Sequence, residues 1–235
     1  MRHHLRRALA GALLLSSLAF AQDDLSDAVK DLLQRARSGD AAAQFAVANA
    51  YDGGQGAPRD GQEAMRWYQA AAEQGHVEAQ NSVGSGFQAA KKYAEARLWY
   101  EKAAAQNHAL ATNNLAYLHH LGLGTSQDRQ NAFALYSKAA DLGWAESMWN
   151  LANMHGAGQL GQPPDLVSAC AWTLRAAKYA TPEDRQLLTH VGRVTPLLER
   201  RLSPEQLRSC RDQAQSWSPA LAGTRTDLPR NARDD

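Results

Sequence analysis

The sequence predicts an all-α fold, a solenoid of antiparallel helix pairs, and three observations predict it. One stretch, Asp60–Gly75 (DGQEAMRWYQAAAEQG), is rewritten along the chain. Its Ala64, Trp67-Tyr68, Ala71-Ala72 and Gly75 return as Ala96, Trp99-Tyr100, Ala103-Ala104 and Asn107, and then as Ala132, Leu135-Tyr136, Ala139-Ala140 and Gly143. A looser copy carries Ala169, Trp172-Thr173 and Ala176-Ala177. The second observation is the spacing: from alanine to alanine the steps are 32, 36 and 37 residues, a self-similar period that marks a helical repeat array. The third is that a second helix-period segment precedes each copy, so each unit is a helix pair.

Met1–Ala21 is expected to stand apart from the fold. Arg2, Arg6 and Arg7 form a basic head, Leu9–Phe20 is an uncharged apolar run, and Ala19-Phe20-Ala21 is a small-x-small cleavage signal. This reads as a secretory signal peptide cut before Gln22. The apolar run is about 12 residues, short of the roughly 20 that span a bilayer. Cleavage removes three arginines and no acid, so the net charge falls from +1 to −2 over a mature chain of 214 residues. Acids and bases are interspersed, which leaves no basic stripe for nucleic acid and no cationic helix for a membrane surface.

Residues 22–39 are expected to form an N-terminal capping half-repeat. Asp24 to Gly39 is the same interval as Asp60 to Gly75, Ala28 and Ala36 fall on the Ala64 and Ala72 positions, and Asp31-Leu32 replace the aromatic pair. A polar outer face suits a terminal unit that no neighbour covers. Four full repeats follow at 40–75, 76–107, 108–143 and 144–180. In the first, Ala43, Val47, Ala48 and Tyr51 make the apolar stripe of a short helix. Gly53-Gly54-Gln55-Gly56-Ala57-Pro58 breaks it, Asp60 caps the next helix, and Gly75 closes that helix in the left-handed region. The alanines allow close approach of the two helices, while Trp67, Tyr68, Trp99, Tyr100, Tyr136 and Trp172 fill the space to the neighbouring pair. The second repeat has no such loop; QAAKKYAE between Phe87 and Ala96 predicts a tight turn, which explains the 32-residue step.

Read together, A-x-A-Q-x-x-(V/L)-(A/G)-x-x-Y, then G-x-G, then D-x-x-x-A-x-x-W-Y-x-x-A-A-x-x-G resembles the Sel-one-like repeat, a relative of the tetratricopeptide repeat with a longer interhelical loop. The match runs over Ala41–Gly75, Val77–Asn107, Ala109–Gly143 and Ala145–Ala177. The departures are the missing second loop, His119 and His155 at the tyrosine position, and Thr173 for the second aromatic. The resemblance implies a right-handed superhelix.

Past Tyr179 the pattern changes, and residues 181–217 are expected to form C-terminal capping helices. Thr181-Pro182-Glu183-Asp184 reads as a helix start, Gly192 and Thr195-Pro196 as a break or kink, and Ser203-Pro204-Glu205-Gln206 as a second start with a capping box. Such segments look like the closing helices of bacterial members of the family. They are expected to fold over the fourth repeat with Trp217 buried. Residues 218–235 have no apolar period and read as a disordered tail.

The chain has two cysteines. Cys170 lies in the second helix of repeat four and Cys210 in the closing helix expected to pack on it, so export would permit a disulfide. The alternative is two small buried hydrophobes on helices that do not meet. In cysteine-rich members of the family bridges join the two helices within a repeat, a spacing absent here. His119 and His155 are one repeat apart at a core-facing slot and have no acidic or cysteine neighbour at ligand spacing, which favours structural histidines over a metal site. His76 and His108 follow the repeat-closing position and read as turn residues. Walker, dinucleotide and nucleophile-elbow patterns are absent. No catalytic residue, metal or cofactor is expected.

What remains is a surface. In the related tetratricopeptide fold the first helix of each pair lines the concave side. By that analogy the partner-binding rows are Phe45, Asn81, Asn113 and Trp149, then Asn49, Ser85, Tyr117 and Asn153. Asparagines that donate and accept at once, with rigid aromatic anchors, suit an extended peptide or protein loop. The expectation is a non-enzymatic scaffold for protein–protein interaction, periplasmic or secreted after cleavage near Ala21, with no nucleic-acid partner and no membrane insertion. Two alternatives stand beside it: a cell-wall-directed enzyme or β-lactam- or peptidoglycan-binding protein like the cysteine-rich relatives, and a passive structural subunit of an envelope complex.

Overall fold

The computed structural model describes residues 25–220. The expected signal peptide, residues 22–24 of the expected half-repeat and residues 221–235 of the expected tail lie outside them. Every regular element among the described residues is an α-helix. In chain order these are α1 (Asp27–Arg37), α2 (Ala41–Gly53), α3 (Gly61–Glu73), α4 (Val77–Ala89), α5 (Tyr93–Ala105), α6 (Ala109–Leu121), α7 (Arg129–Asp141), α8 (Ala145–Gly156), α9 (Leu166–Tyr179), α10 (Arg185–Arg201) and α11 (Pro204–Ser216). They group into two compact units that divide within α4 after Val83.

The repeats are joined by one turn used four times. Just past α1, α3, α5 and α7 the chain takes positive φ at Gly39 (97°), Gly75 (91°), Asn107 (61°) and Gly143 (86°). This places the next N–H back on a carbonyl of the finished helix: Asp40 on Arg35 (3.2 Å), His76 on Ala71 (3.1 Å), His108 on Ala103 (3.2 Å) and Trp144 on Ala139 (3.0 Å). Carbonyls that the helix end would leave unpaired are thereby satisfied. The residue that closes one helix then opens the next. The Asp40 carboxylate accepts from the Ala43 N–H at 3.1 Å, and His76 and His108 accept through Nδ1 from Ala79 (3.4 Å) and Ala111 (3.1 Å). His76 and His108 are therefore helix caps rather than simple turn residues. An imidazole nitrogen can serve this role because its unprotonated form is an acceptor.

In the first unit α1 packs on α2 and α2 on α3. Its core is Leu25, Val29, Leu33, Ala36, Ala43, Val47, Ala50 and Ala57, with Leu32, Tyr51 and Trp67 packed against it. The loop after α2 closes over the start of α1, where the Ser26 N–H donates to the Gly56 carbonyl at 2.8 Å. Gln44 and Gln80, one repeat apart, fix the register: their side-chain amides donate to the carbonyls of Ala36 (3.1 Å) and Ala72 (3.2 Å).

In the second unit α5 through α9 pack consecutively, and both α10 and α11 pack on α9. The main cluster joins Ala132, Tyr136 and Ala140 of α7, Met148 and Leu151 of α8 and Ala176 of α9 to Leu187 and Val191 of α10. A second cluster holds Cys170 and Ala171 of α9 with Leu198, Leu202, Cys210 and Ala214. Cys170 and Cys210 form a disulfide with a Cα–Cα distance of 5.8 Å across a sequence separation of 40. In the tight turn of the second repeat, Lys91 takes φ 58° and the Lys92 N–H returns to the Phe87 carbonyl at 2.9 Å.

Three expectations for the C-terminal segment are corrected. Thr181 does not cap a helix: the Asp184 carboxylate accepts from its N–H (2.7 Å) and hydroxyl (3.0 Å), closing a turn, and the helix starts at Arg185. Gly192 and Thr195-Pro196 do not end α10, which runs on through Pro196 to Arg201. Leu187, Val191 and Leu198 are the residues it buries, while Gly192 and Pro196 are exposed. A stripe docked on its neighbours holds the helix across residues whose local preference is to break it. Trp217 is half-buried, not buried, because its indole lies at the edge of the fold against Trp172 and Tyr179.

Candidate functional site

The repeat anchors are packing residues. Tyr68, Tyr100 and Tyr136 are buried, and Trp67, Trp99 and Trp172 are half-buried. What differs among the tyrosines is the fate of the hydroxyl. Tyr68 donates to Asn49 Oδ1 at 2.7 Å. Tyr100 donates to Gln88 Oε1 at 3.1 Å, and its hydroxyl meets that of Ser85 at 3.3 Å. The Tyr136 hydroxyl, equally buried, has no hydrogen-bond partner. Burial first, then Tyr117 beside it, pushes its pKa far above the ordinary value, so it stays neutral.

Asn49, Ser85, Tyr117 and Asn153 hold one repeat position, which explains the difference. In the first two repeats that position receives the tyrosine hydroxyl and belongs to the interior of the helix pair. In the third it is Tyr117, which points outward at 42% exposure. In the fourth the tyrosine is replaced by Thr173, whose hydroxyl donates to its own helix at the Ala169 carbonyl (2.8 Å), and Asn153 is exposed. The row is internal at its beginning and open at its end.

The other row divides similarly. In the first unit Phe45 stacks on His76 with centroids 4.5 Å apart and tilts against Tyr68 at 5.7 Å. Asn81 is buried at 4% exposure, so it serves packing and is corrected from a surface position. In the second unit Asn113 Oδ1 accepts from Ser147 Oγ (2.9 Å) and Asn150 Nδ2 (3.2 Å), a link between α6 and α8 that fixes its amide. Trp149 stacks on His190 of α10 at 6.1 Å and 17°. Of the eight expected residues, the second unit carries the exposed Tyr117 and half-buried Asn113 on α6 and the exposed Asn153 and half-buried Trp149 on α8, two helices joined by the Asn113 hydrogen bonds.

Residues missed by sequence reasoning complete this face. Leu121, one turn beyond Tyr117 on α6, is 48% exposed. Its signal was the spacing: Asn113, Tyr117 and Leu121 lie at i, i+4 and i+8, a single helix face. His190 carried no signal, because its place on Trp149 depends on how α10 docks.

The remaining polar groups do not assemble a reactive centre. His155 packs edge-on to Phe133 at 5.5 Å. Burial lowers its pKa, Asp165 opposes the shift, and Arg175 adds to it. His119 is half-buried with Nδ1 shut from solvent, and His120 Nε2 meets Gln159 Oε1 at 2.7 Å. Among the described residues no group of three His, Cys, Asp or Glu side chains is placed to hold a metal ion. No described helix is long and apolar enough to cross a membrane.

Comparison with known proteins places these observations. The Sel1 repeat model matches residues 41–76, 77–108, 109–144 and 145–178. Among solved structures, the chain is similar to a protective antigen of uropathogenic Escherichia coli strains that displays an SLR fold. The identity is 26% and the TM-score 0.73, over 88% of this chain and 45% of the antigen. It is also similar to a Sel1 repeat protein from Oxalobacter formigenes, at 30% identity and TM-score 0.59, over 74% of this chain and 71% of that one. A sel1 repeat protein from Klebsiella pneumoniae subsp. pneumoniae shares the fold at 20% identity and TM-score 0.51, over 80% of this chain and 98% of that one. The chain thus spans less than half the length of the E. coli antigen. A comparison with curated proteins finds no match.

Proposed function

Because the chain belongs to the Sel1 repeat family, a family of protein-interaction scaffolds, we propose that it is a non-enzymatic adaptor that works outside the cytoplasm, in the periplasm or secreted, and captures a peptide or protein loop on the face formed by α6 and α8. The observation that carries this reading is the change along the Asn49–Ser85–Tyr117–Asn153 row. Where the first repeats spend this position on an internal hydrogen bond, the third and fourth present Tyr117 and Asn153 outward. An exposed tyrosine offers apolar area at low conformational cost, and an asparagine offers both a donor and an acceptor to a peptide backbone. Trp149 and Leu121 extend the apolar part of the face.

Export is supported by the basic head, apolar run and Ala19-Phe20-Ala21 of the sequence, and by a disulfide that suits an oxidising compartment. Affinity capture from an envelope fraction, followed by mass spectrometry, tests the whole reading. Tyr117→Ala with Asn153→Ala should reduce capture at least tenfold while leaving the melting temperature within a few degrees, since both side chains are exposed. Undiminished capture by this variant would remove the face from consideration. N-terminal sequencing of the protein recovered from that fraction should begin at Gln22; recovery of an uncleaved chain from the cytoplasm would refute export.

A further inference from the structure

The end of the second unit is sealed by a helix held by a small apolar contact, an exposed ion pair of Arg211 with Glu199 of α10 at 3.8 Å, and a crosslink. α11 buries only Cys210 and Ala214, with half-buried Leu207 beside them. Its own start is complete, because Ser203 and Gln206 form a reciprocal capping box, so the helix needs no further partner at its N-terminus, although Leu202 just before it is buried with the cysteines. Following α11, Trp217 meets Trp172 edge-on at 5.3 Å and Tyr179 at 5.9 Å.

What this lid covers is unfavourable to bury. The Arg175 guanidinium lies 4.2 Å from the Trp172 ring and 5.1 Å from the Trp217 ring, and one of its terminal nitrogens donates to the Gln213 carbonyl of α11. Its Nε is buried without a partner, and it makes no ion pair with a carboxylate among the described residues. A cation shut away without an opposing charge costs free energy that rehydration returns. Two aromatic rings recover part of it. The sealed end is therefore opposed from within and held by the Cys170–Cys210 bond.

From this we infer that the Cys170–Cys210 bond is the latch of a redox-dependent lid. With the bond closed, α11 and Trp217 seal the Trp172–Arg175–Tyr179 end of the fourth repeat. With both thiols free, α11 leaves, that aromatic and cationic face is uncovered, and the repeats stay folded. Closing the latch takes two electrons and two protons from the thiol pair, passed to a disulfide donor that becomes a dithiol. A dithiol reductant opens it in reverse through a mixed disulfide. Both sulfurs are buried, Cys210 fully, so attack proceeds through a local loosening of α11 about the intact bond, and a closed lid reopens slowly. This device is independent of the partner captured on α6 and α8.

The full-length oxidised protein, with and without excess dithiothreitol, decides the matter by limited trypsin digestion and circular dichroism. Arg208 and Arg211 are exposed cleavage points in the lid. Reduction should raise cleavage there roughly a hundredfold. Cleavage after Arg59, Arg66 and Arg129 in the repeats should be unchanged, and helical signal should fall by no more than the share of one helix. Reoxidation with oxidised dithiothreitol should restore protection. If dithiothreitol leaves the bond intact, Cys170→Ser with Cys210→Ser is judged by the same criteria. Equal protection of the lid in both states would overturn the inference. So would loss of protection throughout the repeats, which would make the bond a general brace.

Discussion

The two ends of the described chain solve one problem in different ways. A repeat array must cover the apolar face of its last unit at each end. At the N-terminal end α1 does so by burial, placing Val29, Leu33 and Ala36 on the core, with one backbone hydrogen bond from Ser26 to the Gly56 loop. At the C-terminal end α10 also works by burial, but α11 contributes little apolar area and is tied by a disulfide. The difference teaches that a cover can be specified by shape or by a bond. Only the second can be removed without altering the sequence.

The largest expected effect comes from truncating one buried leucine at each end. Leu33→Ala should cost about 3 kcal/mol and release α1, seen as fast amide hydrogen exchange across Asp27–Arg37. Leu198→Ala in the oxidised protein should cost a similar amount, yet leave α11 protected because the bond still tethers it. Equal exchange at the two ends would erase the distinction. A smaller effect is expected at Gly56, which has φ 76° and where an added Cβ would lie 2.5 Å from Ser26 Oγ. Gly56→Ala should cost about 1–2 kcal/mol, read by chemical denaturation, and should loosen α1 alone.

The smallest effect is a response to acid. The carboxyl of Asp40 is held below its ordinary value of 3.8, first by the hydrogen bond from the Ala43 N–H and next by that from Arg35. A depressed folded-state value means that the stabilisation is present above the unfolded pKa and is lost as pH falls through the folded one. As pH falls below the ordinary value of 3.8, the junction of α1 and α2 should therefore fray before α11, which helical-region NMR chemical shifts would report. Asp40→Asn should flatten that response while keeping the cap.

Much of the fold was legible because the information is local and repeated. The alanine and tyrosine spacing, the left-handed slot filled by Gly39, Gly75, Asn107 and Gly143, and the caps at Asp60 and Ser203 each follow from short-range stereochemistry. The C-terminal boundaries were less legible. Pro182 and Pro196 carry strong local preferences, yet Asp184 captures Thr181 to form a turn, and the docked stripe of α10 overrides Pro196. The candidate site was legible as a row and illegible as a surface. Asn49 and Asn153 are the same residue type at the same repeat position, and only the presence of Tyr68 in one repeat and Thr173 in the other decides which is spent internally. Asn113 is constrained by Ser147 and Asn150, residues more than thirty positions away, a contact that no local pattern announces.

The turn that joins one repeat to the next has a consequence for the ancestry of such chains. At Gly75-His76 and Asn107-His108 the finishing helix and the starting helix are both satisfied within a few consecutive residues. A gene duplication or loss whose ends fall at these points would keep both the closing hydrogen bond of one helix and the side-chain cap of the next. The module can be copied or excised whole, and the chain can change in length by one unit while each remaining join stays chemically complete.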